Sequence, residues 1–183
     1  MTKTSDYKLI ELKFKKIQKN IFNSFINIDK KSKNKKTNWK YKAGGGGTSI
    51  GIYSGKIIEK AAVNFSSISG KIIPSSALSK KLGQHKQFRA TGVSVVVHSQ
   101  NPFVPCSHLN VRHFELSKNK WWFGGGYDLT PYFPYADDIK LWHSNTRKMC
   151  DKHDKKYYKN FKKQCDEYFY LKHRKEKRGV GGI

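Results

Sequence analysis

Arginine is scarce in this chain, and acid is scarcer than base. Of the 37 basic residues only Arg89, Arg112, Arg147, Arg174 and Arg178 are arginines, and just 13 residues are acidic. The resulting formal charge of +24 first raises a nucleic-acid partner. The shortage of arginine argues against that partner, because base readers and phosphate clamps rely on the planar guanidinium fork. The charge reads instead as drift toward lysine, with a field that attracts an anionic ligand. Cysteine is also sparse. Cys106, Cys150 and Cys165 are odd in number and form no CxxC pair, which excludes a disulfide framework and a zinc knuckle and fits the reducing cytoplasm. No apolar run approaches the ~18 residues of a membrane span. The N-terminus has no apolar signal core and carries Asp6 and Glu11, so no export or import signal is expected. Apolar residues make up 37% of the chain, a low share that 11 Phe, 10 Tyr and 4 Trp offset by the area each buries. A length of 183 residues sets the expectation of one domain, 1–183.

Periodicity gives a coarse order of elements. Leu9, Leu12, Phe14, Ile17, Ile21, Phe22 and Phe25 predict an amphipathic helix over 7–27. Residues 28–38, NIDKKSKNKKT, read as a basic low-complexity loop. Gly44–Gly47 suits a tight turn or a close backbone approach. Residues 49–54 and 56–65 flank Gly55 and predict a hairpin, 76–83 a short helix, and 88–98 a buried strand. Residues 108–116 alternate as a strand, and 121–123 form a short aromatic one. After Pro131 and Pro134 the pattern turns helical, from Asp137 or Asp138 to about His153 and again over 155–177. The closing residues 179–183 predict a turn and the start of a strand. A helix, several antiparallel strands and then helices make an α+β class.

Most of the polar chemistry lies between Ser94 and Arg178. His98 ends one strand and His108 begins the next, so their rings are placed to converge across the loop between them. No pair of histidines has the spacing of a helix-borne zinc site. His85, His113 and His153 read as structural. Gly124–Gly126 lacks the Lys-Ser/Thr of a phosphate loop and reads as backbone lying against a flat ligand, with Asp128 presented at a turn or serving only as a helix cap or turn former. Arg112 sits in a strand; pointing inward it requires an anion, and a carboxylate is the natural one.

Five stretches carry a family resemblance: AGGGGTS at 43–49, EKAAVNFSSISG at 59–70, FRATGVSVVVHSQNPFVPCSHLNVRHFE at 88–115, WWFGGGYDLTPYF at 121–133 and CDEYFYLKHRKEKRGVGGI at 165–183. In this order they resemble the oxygen-dependent coproporphyrinogen-III oxidases. The resemblance implies a large, flat antiparallel sheet flanked by helices, working as a homodimer. It implies oxidative decarboxylation of two propionates of coproporphyrinogen III to the vinyl groups of protoporphyrinogen IX, in haem biosynthesis. Molecular oxygen is then the co-substrate, and no flavin, haem or nicotinamide is needed. By the same resemblance His108 matches a proton donor, and His98, His108, His143 and His173 match ligands of a divalent metal cation. Ser94, Asn110, Val111 and Arg112 match substrate contacts, and Asp128 matches an aspartate that holds the pyrrole nitrogens. Ser99, Gln164 and Ala62 depart from the pattern, standing where proline, tryptophan and glycine are usual. The family continues past Gly-Gly-Ile into a C-terminal region, so 1–183 reads as an incomplete domain. A non-enzymatic remnant that binds porphyrinogen or a partner chain is the alternative reading.

Overall fold

A computed structural model of the chain describes residues 6–73, 87–117 and 120–183. The short helix predicted at 76–83, and His85, lie outside the described residues. The first element, α1 (Tyr7–Ile28), begins where the Asp6 carboxylate accepts the Leu9 backbone N–H at 3.1 Å. Strands follow as β1 (Lys33–Lys40), β2 (Gly45–Tyr53), β3 (Ile58–Gly70), β4 (Phe88–Ser99), β5 (Cys106–Ser117) and β6 (Lys120–Thr130). Two helices, α2 (Ala136–Asp151) and α3 (Tyr157–Tyr168), lead to β7 (Tyr170–Leu171), β8 (Glu176–Lys177) and β9 (Gly181–Gly182). The α+β class holds: a seven-stranded antiparallel sheet runs in the order β1-β2-β3-β4-β5-β6-β9, and β7 pairs with β8 apart from it.

Three expectations are corrected. Residues 28–38 are not wholly loop, since Lys33–Lys40 pairs along its whole length with β2. Every residue of that strand is exposed. A lysine-rich edge strand satisfies its backbone on one side and repels other edges on the other, so its sequence looks like loop. The second late helix stops at Tyr168, and the chain then turns through the β7–β8 hairpin, with Lys175 in a left-handed turn at φ 54°. The strand at Trp121–Phe123 runs on to Thr130, with the three glycines and Asp128 inside it.

The strand register divides the sheet into two faces, because successive side chains alternate. One face is apolar. Ile52, Ala61, Val63, Phe65, Val93 and Val95 bury against Phe14 of α1, with Leu109 and Val111 packed alongside. Gln18 on α1 donates to the backbone carbonyls of Thr48 at 2.8 Å and Val63 at 3.0 Å, tying the helix to both strands. The opposite face is small and polar. A second cluster of Ile73, Phe88, Phe114 and Leu116, with Trp122 and Ala90, closes one end of it. Phe114 stacks on Phe88 at 5.6 Å and on Trp122 at 4.9 Å.

Candidate functional site

Cross-strand partners share a face, so the pairing register locates the site residues directly. Ser94 pairs with Asn110, Gly92 with Arg112 and Val96 with His108. In the next strand Asn110 pairs with Gly126, Arg112 with Gly124 and His108 with Asp128. His98 lies two residues beyond Val96 and opposite Lys60. Ser94, His98, His108, Asn110, Arg112 and Asp128 therefore all stand on the polar face. Glycines keep this face low. A Cβ at Gly124 would come no closer than 3.9 Å to any neighbour, and at Gly51 no closer than 4.0 Å. Val111 is the exception among the predicted contacts. Its side chain stands on the apolar face, packed against the α1 core. Only its backbone reaches the sheet plane that the polar residues share.

Toward the β6–β9 edge of the face lies a charged relay. The His108 Nδ1 is 3.1 Å from Oδ1 of Asp128, whose Oδ2 accepts from Nη2 of Arg178 at 2.8 Å. Asp128 is 1% exposed, which corrects the expectation that a turn presents it to a ligand. A carboxylate this buried is held by its partners, since an unpaired charge there would cost several kcal/mol. The relay is capped by Phe169, whose ring lies 3.7 Å from the Arg178 guanidinium and meets the His108 ring edge-on at 6.1 Å. Beside the relay, Nε of Arg112 donates to Oδ1 of Asn110 at 2.8 Å, and the exposed guanidinium keeps its other donors for a ligand.

His98 lies at the far end of the face. Its Nδ1 is 3.1 Å from Sγ of Cys106, a half-buried thiol that burial pushes above its ordinary pKa. The His98 and His108 rings thus share a face but take different partners. The other two predicted metal ligands are elsewhere. The Nε2–H of His143 on α2 donates to the Val180 carbonyl at 3.1 Å, and burial, followed by the nearby Lys162 charge, lowers its pKa. His173 is exposed in the turn between β7 and β8. Among the described residues no group of three or more His, Cys, Asp or Glu is placed to hold a metal ion. The expected set of four histidines does not converge, and these residues do not fit a shared metal centre.

Arg178 and Phe169 are the members of the site that the sequence reading missed. The helix expected over 155–177 takes in Phe169 and ends one residue before Arg178. The signal that could have found Arg178 is the scarcity of arginine itself. Each of the five is used where a planar fork matters: Arg89 on Glu115, Arg112 on Asn110, Arg147 over the Tyr158 ring, Arg174 on Glu176 and Arg178 on Asp128. His113, read as structural, is fully buried among Tyr7, Trp121 and Phe123, and burial lowers its pKa.

Known proteins resemble this chain along nearly its whole length. The coproporphyrinogen III oxidase family matches residues 9–183. An oxygen-dependent coproporphyrinogen-III oxidase of Prochlorococcus marinus subsp. pastoris is 49% identical over 170 residues, covering 92% of this chain and 49% of its own length. One from Wigglesworthia glossinidia brevipalpis is 46% identical over 176 residues, covering 93% of this chain and 57% of its own. One from Francisella tularensis subsp. holarctica is 53% identical over 144 residues, covering 76% and 47% respectively. The chain spans about half the length of the curated relatives it matches. With the family matching 175 of the 183 residues, from 9 to 183, the chain belongs to the coproporphyrinogen III oxidases.

Proposed function

We propose that the polar face binds coproporphyrinogen III and that the protein carries out its oxygen-dependent decarboxylation to protoporphyrinogen IX. The observation that carries this reading is the gathering of Ser94, His108, Asn110 and Arg112 on one low face of the sheet, with Asp128 behind them. The substrate is an anionic tetrapyrrole. A wide face floored by small residues gives it room, and the exposed Arg112 guanidinium offers a paired contact to one propionate. Ser94 and Asn110 supply neutral hydrogen bonds beside it.

In each round one propionate loses its carboxylate as carbon dioxide. A hydrogen leaves the carbon next to the pyrrole, and a vinyl group remains. Two electrons pass to molecular oxygen, which takes up two protons and leaves as hydrogen peroxide. His108 serves as the proton donor in its imidazolium form, giving the Nε2 hydrogen and keeping the Nδ1 hydrogen that Asp128 accepts, so that donation leaves Nε2 bare. With Nδ1 engaged by Asp128, Nε2 is the nitrogen left for the reacting groups. Asp128, buried and engaged on both oxygens, acts behind His108 and opposes positive charge on the ring from below the face. The lysine-rich field raises the local concentration of the anionic substrate and calls for no nucleic-acid partner. A homodimer and a cytoplasmic setting complete the reading. Among the described residues no helix is long and apolar enough to cross a membrane.

The test is protoporphyrinogen formation under oxygen in the protein carrying this chain. His108→Ala should lower turnover by ~10²–10⁴, the range for loss of a general acid. Unchanged turnover would remove His108 from the chemistry.

A further inference from the structure

We propose that Arg178 and Phe169, the residues flanking the β7–β8 hairpin, are positioning residues that lock Asp128 so that it holds His108 in one tautomer, hydrogen on Nδ1 and lone pair on Nε2. The inference deepens the role proposed for His108 and rests on it for its catalytic meaning, but its geometry stands alone.

The two carboxylate oxygens of Asp128 are divided between two partners on opposite sides, His108 on Oδ1 and Arg178 on Oδ2. Rotation of the carboxylate breaks both contacts at once. A carboxylate only accepts hydrogen bonds, so the His108 Nδ1 facing it carries the hydrogen. The orientation of the ring therefore depends on the orientation of Asp128, which depends on Arg178.

Arg178 is itself held from three directions. Its backbone N–H donates to the Phe169 carbonyl at 3.3 Å, extending the hairpin by one pair beyond Tyr170 and Lys177. Its guanidinium stacks on the Phe169 ring at 3.7 Å. Two residues on, the Val180 N–H donates to the Leu129 carbonyl at 3.0 Å, and Gly182 pairs with Asp128 itself. The link between hairpin and strand is Gly179 at φ 63°, where a Cβ would lie 2.3 Å from the Leu129 carbonyl oxygen. The chain that carries Arg178 thus runs directly into the edge of the strand that carries Asp128. The same Phe169 ring that supports Arg178 meets the edge of His108, so one aromatic side chain sets both ends of the relay. Arg178 neutralises the buried carboxylate, and in the same geometry it fixes which oxygen faces His108.

The test is the imidazole ¹⁵N spectrum of the full chain, with the His108 signals assigned by their loss in His108→Gln. At a pH where the ring is neutral, the wild type should show Nδ1 protonated and Nε2 bare. Asp128→Asn should reverse the tautomer, because its amide can present a donor to Nδ1. Arg178→Gln should leave the Nδ1-protonated form in the minority, and Arg178→Lys should restore part of it. Phe169→Leu should shift the balance in the same direction as Arg178→Gln, by less. Backbone amide signals of Asp128 and Gly182 report in each variant that the β6–β9 pairing is intact. A wild-type tautomer in Arg178→Gln with that pairing intact overturns the proposal. The readout needs no turnover: the expected tautomers with an active His108→Ala enzyme would defeat only the role proposed for His108, leaving the lock in place.

Discussion

Replacing Phe14 by alanine should cost far more than replacing Leu12, though both belong to the same apolar repeat in α1. Phe14 is 4% exposed, sits in the main core cluster with Val63, Phe65 and Val93, and lies 6.5 Å from the Phe123 ring. Leu12 is 63% exposed. Truncating a buried phenylalanine removes its transfer free energy and leaves a cavity under a helix that cannot settle, because Gln18 pins it to the carbonyls of Thr48 and Val63. The expected loss is ~3–5 kcal/mol. A solvated leucine should change stability by ~0.5 kcal/mol or less. Against a total of ~5–15 kcal/mol, the first is a large fraction and the second is not. Urea unfolding followed by far-ultraviolet circular dichroism reads the difference. With a slope of ~1–3 kcal/mol per molar, Phe14→Ala should lower the midpoint by more than ~1 M while Leu12→Ala leaves it nearly in place. Equal shifts for the two variants would refute the placement of α1 on the sheet.

Further predictions follow from the same geometry. The Asp29 carboxylate accepts the backbone N–H groups of Ile58 at 2.9 Å and Ile57 at 2.7 Å, and these bonds hold its pKa below the ordinary value. Its contribution is therefore present above the unfolded value and lost as pH falls through the lower folded one, so Asp29→Asn should flatten the acid limb of a stability–pH curve. His113 is buried in its neutral form with a lowered pKa, so stability should fall on acidification from about the ordinary histidine value of 6.5 downward, and His113→Phe should remove that part of the slope. His113→Ala should destabilise the chain at every pH, because the ring is 0% exposed, and a thermal melt would show it. Arg112→Ala should weaken coproporphyrinogen binding by ~1.5–3 kcal/mol through loss of a charge-assisted bond, with no change in the melt.

Much of this was legible in the sequence, and the failures have physical causes. The hairpin about Gly55, the buried strand from Phe88 and the helix from Tyr7 follow from period and turn chemistry. The helix face did not. Leu9, Leu12 and Ile17 fit the repeat yet are exposed, while Gln18 is buried because it can bond to strand carbonyls. Strand β1 was hidden because an edge strand needs no apolar face. The polar site was legible in part: His108, Asn110 and Arg112 recur at every second residue of β5, so they share one face once the strand is known, and Ser94 joins them through its pairing with Asn110. What no spacing could give was the long-range pairing of Asp128 with Arg178, fifty residues apart, or the separation of His143 and His173 from His98 and His108. Those depend on how the α2–α3 segment returns to the sheet edge.

If the polar face, not the lysine-rich surface at large, receives the tetrapyrrole, filling that face must weaken binding even where diffuse attraction is screened. The most direct measurement is a fluorescence titration of coproporphyrin III, a stable oxidised analogue, at physiological salt, where diffuse attraction is screened. Ser94→Trp raises a large side chain from the middle of the face without touching the α1 core. This variant should bind at least tenfold more weakly than the wild type, while Leu12→Ala, on the far side of the sheet, binds as the wild type does. Equal binding by Ser94→Trp and the wild type would contradict binding at that face.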